Sequence, residues 1–351
     1  MFLFVAMAGV ALASCTTDES VFDAADKGRE IEFTAANYAV QTRAAYTNGN
    51  FSVWAWQNGK DVAHMENVSV SKDCVVSGGP YYWPNYALDF AATSPYGEKS
   101  IELVRRGGSS TITFTFDNSD ADKKDDNVTN LMFADFVESQ YYDSDADISN
   151  GGGQSITGTT YGKTVAIMFR HVLAKLNVAV NQVDPTPIAD GIDSYVVKVN
   201  SLSLDGILCE GSLEVVEGTY DPAGYNIWTP KAGSATKTWN VLTSSTALPY
   251  VTNYGHADHN YLVMPQAIPD AAKLNINFTV TTTFDNETTS EETYAKSVQL
   301  NTIKNGGNTI TNWYANKNIT YTINITPADL TPISFTVQEE EMVAEGGSQN
   351  F

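Results

Sequence analysis

Apolar residues fall at every second position through most of this chain. Ile319, Tyr321, Ile323 and Ile325 do so most cleanly, and Leu274, Ile276, Phe278 and Val280 repeat the pattern. Val165, Ile167 and Phe169 alternate too, as do Leu176, Val178 and Val180 against Asn177, Ala179 and Asn181. A period of two sends successive side chains to opposite faces of a pleated strand, whereas a helix needs a period of about 3.6. The enrichment in β-branched and aromatic residues suits a half-buried sheet surface. Turn residues punctuate these stretches, and no long amphipathic helix intervenes. The pattern predicts an all-β chain built of β-sandwiches. The glycine-rich stretch from Asn150 to Gly162 reads as a boundary, so two sandwiches are expected, over residues 44–160 and 161–337.

The same rule gives several local readings. Residues 165–180 read as one long strand with a bulge or bend near His171. Val197 and Val199 form a strand that Leu202 and Leu204 continue after a phase change, and Gly206 to Gly211 reads as a turn. Tyr261 to Gln266 reads as an edge strand, because Pro265 cannot donate to a ladder. Trp228 and Trp239 are expected as core anchors, and the acidic tail 338–351 as mobile.

Hydrophobic residues make up 42% of the 351 positions and charged residues 17%, which supplies real cores and rules out disorder. The formal net charge is -21. Phosphate binding requires clustered Lys and Arg, so nucleic acid is excluded as a partner. Of the three cysteines, Cys74 and Cys209 read as small buried hydrophobes rather than a disulfide pair.

Residues 1–14 read as a secretory signal: Phe2 to Ala13 is apolar or small, and too short to span a hydrocarbon core of ~30 Å. Leu12-Ala13-Ser14-Cys15 is the order that a lipoprotein signal peptidase reads, which makes Cys15 the lipidation site and the new N-terminus. An ordinary signal peptide with an incidental cysteine is the alternative. No Lys or Arg precedes Phe2, which points to a start a few codons upstream. Beyond a polar tether, Ile31 to Val40 reads as a strand, and Arg43 comes next in a small, polar loop open to an arginine-specific protease. A plain surface arginine is the competing reading there.

Catalytic or metal chemistry is hard to assemble. The sequence holds no nucleophile elbow, no zinc-protease motif, no phosphate loop and no C-x-x-C. Asp143-Ser144-Asp145-Ala146-Asp147 invites a calcium reading, but an EF-hand needs Gly and Glu where Ile148 and Gln154 stand. A solvated acidic loop fits better. His256 and His259 sit in loop-forming sequence rather than a helix, and His171 between apolar residues reads as structural; His64 completes the set. Tyr81, Tyr82, Trp83 and Tyr86 could form a sugar platform or pack around Pro80 and Pro84, and packing is the preferred reading. The chain is therefore expected to be no enzyme and to hold no cofactor or metal.

Taken in order, several stretches resemble the fimbrillin family of Bacteroidetes, the subunits of type V pili. They are the motif ending at Cys15, Thr42-Arg43-Ala44, Trp83-Pro84-Asn85 with Leu88-Asp89-Phe90, Phe169 to Leu176, Leu262-Val263-Met264-Pro265-Gln266, and Trp313 followed by Tyr321-Thr322-Ile323. The resemblance implies two transthyretin-like β-sandwich domains in tandem. It implies a lipoprotein precursor on the outer membrane, cleaved between Arg43 and Ala44 by an arginine-specific protease, with residues 15–43 as the propeptide. It further implies a pilin of a fimbria that supports cell adhesion, with other pilin subunits as partners and outer-membrane lipid before cleavage. Loss of residues 15–43 would remove the Ile31–Val40 strand and leave a groove for a strand from another subunit. The donor implied is the C-terminal segment of Ile333, Phe335 and Val337. The alternative is a surface lipoprotein that binds glycan or host protein without polymerising, a tip adhesin or anchor included.

Overall fold

The computed structural model describes residues 30–37, 44–84, 86–119, 128–141, 160–161, 164–183, 186–220, 228–242, 246–248, 252–254, 261–327 and 333–342. The fold is all-β. Among the described residues the one helical element is a 3-10 turn, Leu300–Thr302. The first strands are β1 (Glu32–Asn37), β2 (Ala44–Ala45), β3 (Phe51–Gln57), β4 (Ala63–Val70), β5 (Leu88–Ser94), β6 (Ile101–Arg106), β7 (Ser109–Asp117), β8 (Met132–Ala134) and β9 (Val137–Tyr141). Next come β10 (Thr160–Tyr161), β11 (Thr164–His171), β12 (Ala174–Gln182), β13 (Ile192–Leu208), β14 (Glu210–Val216), β15 (Thr229–Pro230), β16 (Thr236–Leu242), β17 (Thr246–Leu248) and β18 (Thr252–Tyr254). The last are β19 (Tyr261–Val263), β20 (Gln266–Ala267), β21 (Lys273–Phe284), β22 (Thr289–Gln299), β23 (Lys304–Asn305), β24 (Asn308–Thr309), β25 (Asn312–Trp313), β26 (Lys317–Ile325) and β27 (Ile333–Glu341).

Four sheets carry the architecture. A nine-stranded sheet runs β10-β9-β5-β8-β11-β1-β2, with β3 and β4 joined on through β5. It closes on a core that includes Phe51, Val53, Phe90, Val165, Ile167 and Phe169. A five-stranded sheet of β12, β18, β19, β26 and β27 faces a second of β13, β16, β17, β21 and β22. Val178, Tyr321, Val199 and Phe278, two from each, meet in the core between them. The fourth sheet, β15-β14-β7-β6, packs Ile112, Phe114, Leu213 and Val215 against Phe133, Leu173 and Met264.

The sheets do not part at residue 160. β11 lies between β8 and β1, and β14 pairs with β7 from Glu210–Asp117 to Val216–Thr111. Two strands from the later half are thus completed by strands that precede the glycine-rich stretch. The segment around His171 is not one bent strand either. β11 and β12 belong to different sheets, and Val172 and Leu173 between them are fully buried. Three separate partners satisfy that crossing: Val172 N donates to Leu131 O at 3.1 Å, Trp228 Nε1 to Val172 O at 2.7 Å, and Asn316 N to Leu173 O at 3.0 Å. Alternation looks the same on both sides of such a crossing, so the period alone conceals it.

Gly206 to Gly211 is likewise not a turn. β13 and β14 run on with only Cys209 between them. Gly206 is glycine because a Cβ there would meet Ala271 O at 2.3 Å, with φ at +74°. The buried Gln266 amide holds the junction: Nε2 donates to Leu208 O (3.1 Å) and Met264 O (2.9 Å), and Oε1 accepts from Leu208 N (3.3 Å). The phase change after Val199 is a bulge at Asn200, whose amide donates to Asn277 Oδ1 at 2.8 Å and Thr279 Oγ1 at 3.0 Å. Trp228 and Trp239 are buried anchors, as expected, and so is Cys209, but Cys74 is only half-buried at a positive φ of 63°. The tail reading fails at its start, because β27 runs to Glu341 and Met342 is buried against Phe114 and its neighbours.

A buried charge cluster ties the nine-stranded sheet to the four-stranded one. Arg105 Nη2 donates to Asp89 Oδ2 at 2.6 Å, with both side chains at 5% exposure or less. Arg105 Nη1 reaches Ser110 Oγ (2.9 Å) and Glu217 Oε2 (3.4 Å), and its guanidinium lies 4.9 Å from the Trp56 ring centroid. Asp89 also accepts from Asn58 Nδ2 (2.7 Å), Gly59 N (2.9 Å) and Ser139 N (2.9 Å). Burial pushes this carboxyl up, but those hydrogen bonds outweigh it and hold it below the usual range. A carboxylate so fully bonded tolerates an apolar strand interior that an unpaired one would not.

A candidate strand-exchange site

β1 is added to the edge of β11, parallel to it, from Glu32 opposite Thr164 to Asn37 opposite Phe169. Ile31 and Phe33 point inward, at 2% and 1% exposure. Each such burial stabilises by roughly 1.5–3 kcal/mol. The Phe33 ring meets Phe90 edge-on at 6.0 Å, and Phe90 meets Trp83 at 5.8 Å. Ile31 N donates to Tyr81 O at 2.8 Å, and Glu30 bridges to Tyr82. Three of the four aromatics at 81–86 are packing: Trp83 is buried, and Tyr81 and Tyr86 lean on the same core, while Tyr82 is exposed. The run clasps the start of β1.

On its outer side, among the described residues, β1 pairs only with β2, at Ala36–Ala45 and Asn37–Ala44. Ala44 thus opens the short strand that returns against the end of β1. Tyr46, just beyond it, is an anchor. Its ring packs on Phe169 (4.7 Å) and Phe51 (5.3 Å), and its hydroxyl bonds Ser94 Oγ at 2.6 Å. Burial outweighs that bond and pushes the phenol up to about 12.

β27 is the edge strand of its sheet, antiparallel to β26 from Lys317–Glu341 to Ile325–Ile333. Ile333, Phe335 and Val337 lie opposite Ile325, Ile323 and Tyr321, and all three pack on the core behind β26. Ser334, Thr336, Gln338 and Glu340 are exposed.

The remaining sequence candidates do not gather. Cys15, Arg43, His256, His259, the loop around Asp143, Asn85 and the tail beyond Met342 lie outside the described residues. His64 Nε2 donates to Tyr82 O at 2.9 Å. His171 Nδ1 donates to Asn130 Oδ1 at 2.9 Å, and burial, with the Lys175 charge, lowers it to about 4. A neutral imidazole bonded in a core is structural. Sequence reasoning missed the clasp on β1. Its signal was the apolar Trp83 between two prolines, which a surface aromatic does not need.

A sequence model of fimbrillin-like proteins matches residues 39–339. The chain belongs to this family. Membership makes it a structural protein of fimbriae at the cell surface, working with other fimbrial subunits, and not an enzyme. Among solved structures it is similar to a candidate cell adhesion protein from Bacteroides uniformis, at 18% identity over 90% of this chain and 99% of that one, TM-score 0.49. A second, from Bacteroides ovatus, shows 13% identity over 91% and 100%, TM-score 0.46. The fimbrial anchor protein Mfa2 from Porphyromonas gingivalis shows 10% identity over 90% and 98%, TM-score 0.32. No curated protein sequence matches the chain. No helix among the described residues is long and apolar enough to cross a membrane.

Proposed function

We propose that this fimbrillin-like protein is a pilin. It is exported as a lipoprotein on Cys15, cut between Arg43 and Ala44, and polymerised by β-strand exchange at the outer-membrane surface. One observation carries the reading. β1 packs Ile31 and Phe33 into the core of the nine-stranded sheet, yet its covalent link to that sheet passes through residues 38–43. A cut after Arg43 parts it from everything it packs against except by non-covalent contact. Its departure opens the backbone of Thr164 to Phe169 and an apolar slot beside Phe90 and Trp83, an edge that seeks a strand. Cleavage also severs the lipid anchor, so release and activation coincide.

The test is digestion of the purified precursor with an arginine-specific protease, then mass spectrometry and electrophoresis without boiling. A single cut after Arg43 with detergent-resistant ladders is the expected result, and Arg43→Ala abolishes both. A stable cleaved monomer would replace this reading with a non-polymerising surface lipoprotein.

The pairing of β27 along its whole length, with Met342 buried beyond it, favours a second reading: an end subunit that accepts a strand and donates none. Cleaved protein alone would then form no ladder, but would take up a strand from another subunit.

A further inference from the structure

Lys237 reaches out of one sheet to a buried amide at the end of another. Alternate residues of a strand share a face, so Lys237, Trp239 and Val241 lie on one side of β16. Trp239 and Val241 are buried in the core between the two five-stranded sheets, and Lys237 is half-buried at its margin. Its Nζ donates to Asn118 Oδ1 at 3.0 Å, joining positions 119 residues apart. Asn118 follows β7 and is 2% exposed. Its backbone N donates to Cys209 O at 2.9 Å, which fixes it at the joint of β13 and β14. The other half of the side chain is stranded: Nδ2 is buried without a hydrogen-bond partner among the described residues. A buried donor left unsatisfied costs ~1–3 kcal/mol. For an ammonium partner alone a carboxylate would bond more strongly and strand no donor.

We infer that Lys237 and Asn118 condense into an intramolecular isopeptide bond. The hydrogen bond to Oδ1 sets Nζ one bond from Cγ, and a held contact of this kind replaces a bimolecular encounter. Nζ, once neutral, attacks Cγ, as lysine amines attack carbonyl carbons elsewhere. The Nζ–Cγ bond forms, the Cγ–Nδ2 bond breaks, and Nδ2 leaves as ammonia. The proton that Nζ gives up ends on the departing nitrogen, so the products are one secondary amide and one ammonium ion. No oxidant, cofactor or water is consumed. A carboxylate is needed to carry that proton. Asp117 and Glu210 both lie in this cluster, since each acts with Lys237 on the buried Cys209 thiol. Glu210 is taken by Lys231 and by Ala235 N, so the proton falls to Asp117. Expulsion of Nδ2 removes the stranded donor, and the bond welds the end of β7 to β16 across two sheets. It forms within one chain and does not depend on how the chain polymerises.

Peptide mapping of the purified full chain by mass spectrometry tests the bond. The expected product is one branched peptide holding both Asn118 and Lys237, lighter by one ammonia than the two fragments together. Lys237→Arg keeps a cation there and Asn118→Ala removes the amide. Each is expected to return two separate fragments, with tryptophan emission showing that the chain still folds. Asp117→Asn is expected to lower the linked fraction of freshly made protein at least about tenfold. An Asp117→Asn chain linked as fully as the parent would overturn the assignment of the proton. Folded parent that gives unlinked, unaltered Asn118 and Lys237, even after incubation near about pH 9 where more amine is neutral, would overturn the bond and leave a hydrogen bond in its place.

Discussion

The nine-stranded sheet is keyed by ion pairs, whereas the sheet that carries β27 is crossed by amide pairs between β12 and β26. The nine-stranded sheet is fixed by Asp89, Arg105 and Glu217, and by Arg170, which grips Asp135 with Nε–Oδ1 at 2.6 Å and Nη2–Oδ2 at 2.9 Å. Across β12 and β26 the counterparts are Asn177 with Asn318 and Asn181 with Asn324, the latter at 2.9 Å. Lys317 and Glu339 approach only to 3.8 Å and keep some solvent. Paired charges in a low-dielectric core demand fixed geometry, because each is costly once its partner moves. A neutral amide pair contributes less, about 1 kcal/mol net per hydrogen bond. The body that must keep an open slot intact is the rigidly keyed one. The amide pairs join β12 to β26 and leave β27 to its backbone ladder on β26 and the loose Lys317–Glu339 pair.

Breaking the ionic key has the largest effect. Arg105→Ala strands Asp89 and Glu217 in the interior and is expected to cost ~3–5 kcal/mol in urea unfolding. Loss of under about 1 kcal/mol would show the cluster to be ornamental to the fold.

Acid sharpens the contrast. His171, ordinarily near 6.5, is held at about 4 in the folded protein, so the unfolded chain binds the proton first. Stability is full above about 6.5 and declines as pH falls toward 4, by up to ~3 kcal/mol. Asp89, also depressed, acts in the same direction at lower pH, below its ordinary 3.8. Unfolding tracked by tryptophan emission against pH checks this, and His171→Asn flattens the slope between 6.5 and 4.

On the amide side, Asn181→Ala removes one hydrogen bond across β12 and β26 and is expected to cost ~1 kcal/mol at any pH between 5 and 8. The smallest effect belongs to Lys317→Ala, ~0.2–1 kcal/mol and fading with added salt, since the Glu339 pair is loose. If Lys317→Ala proved the costlier of the two, the division into ionic and amide bodies would fail.

The strands were legible because each buries one face, and a period of two survives any topology. Val165 to Phe169, Leu274 to Val280 and Ile319 to Ile325 needed no more than that. The joints were not legible. Val172 and Leu173 look like the middle of a strand, and only distant Leu131, Trp228 and Asn316 show that the chain changes sheets there. Asp89 reads as a blemish in an apolar run until Arg105 and Asn58 are beside it. Such pairings join positions far apart in sequence, where no local rule reaches. The candidate site was half legible: β1 and β27 each read as strands, but the clasp of Tyr81, Tyr82 and Trp83 on the start of β1 did not.

The unbroken passage of β13 into β14 has a mechanical consequence. A fibre subunit under tension must hand load from the end that is pulled to the end that is held. Here the consecutive strands β13 and β14, Ile192 to Val216, are laced laterally to β21 in one sheet and to β7 in another. Force entering either sheet is spread in shear over a ladder of backbone bonds before it reaches the other. With only Cys209 between the two strands, and Gln266 gripping Leu208, there is no slack hinge to yield at that crossing. A subunit so braced passes load from one sheet to the other without a yielding joint at that crossing.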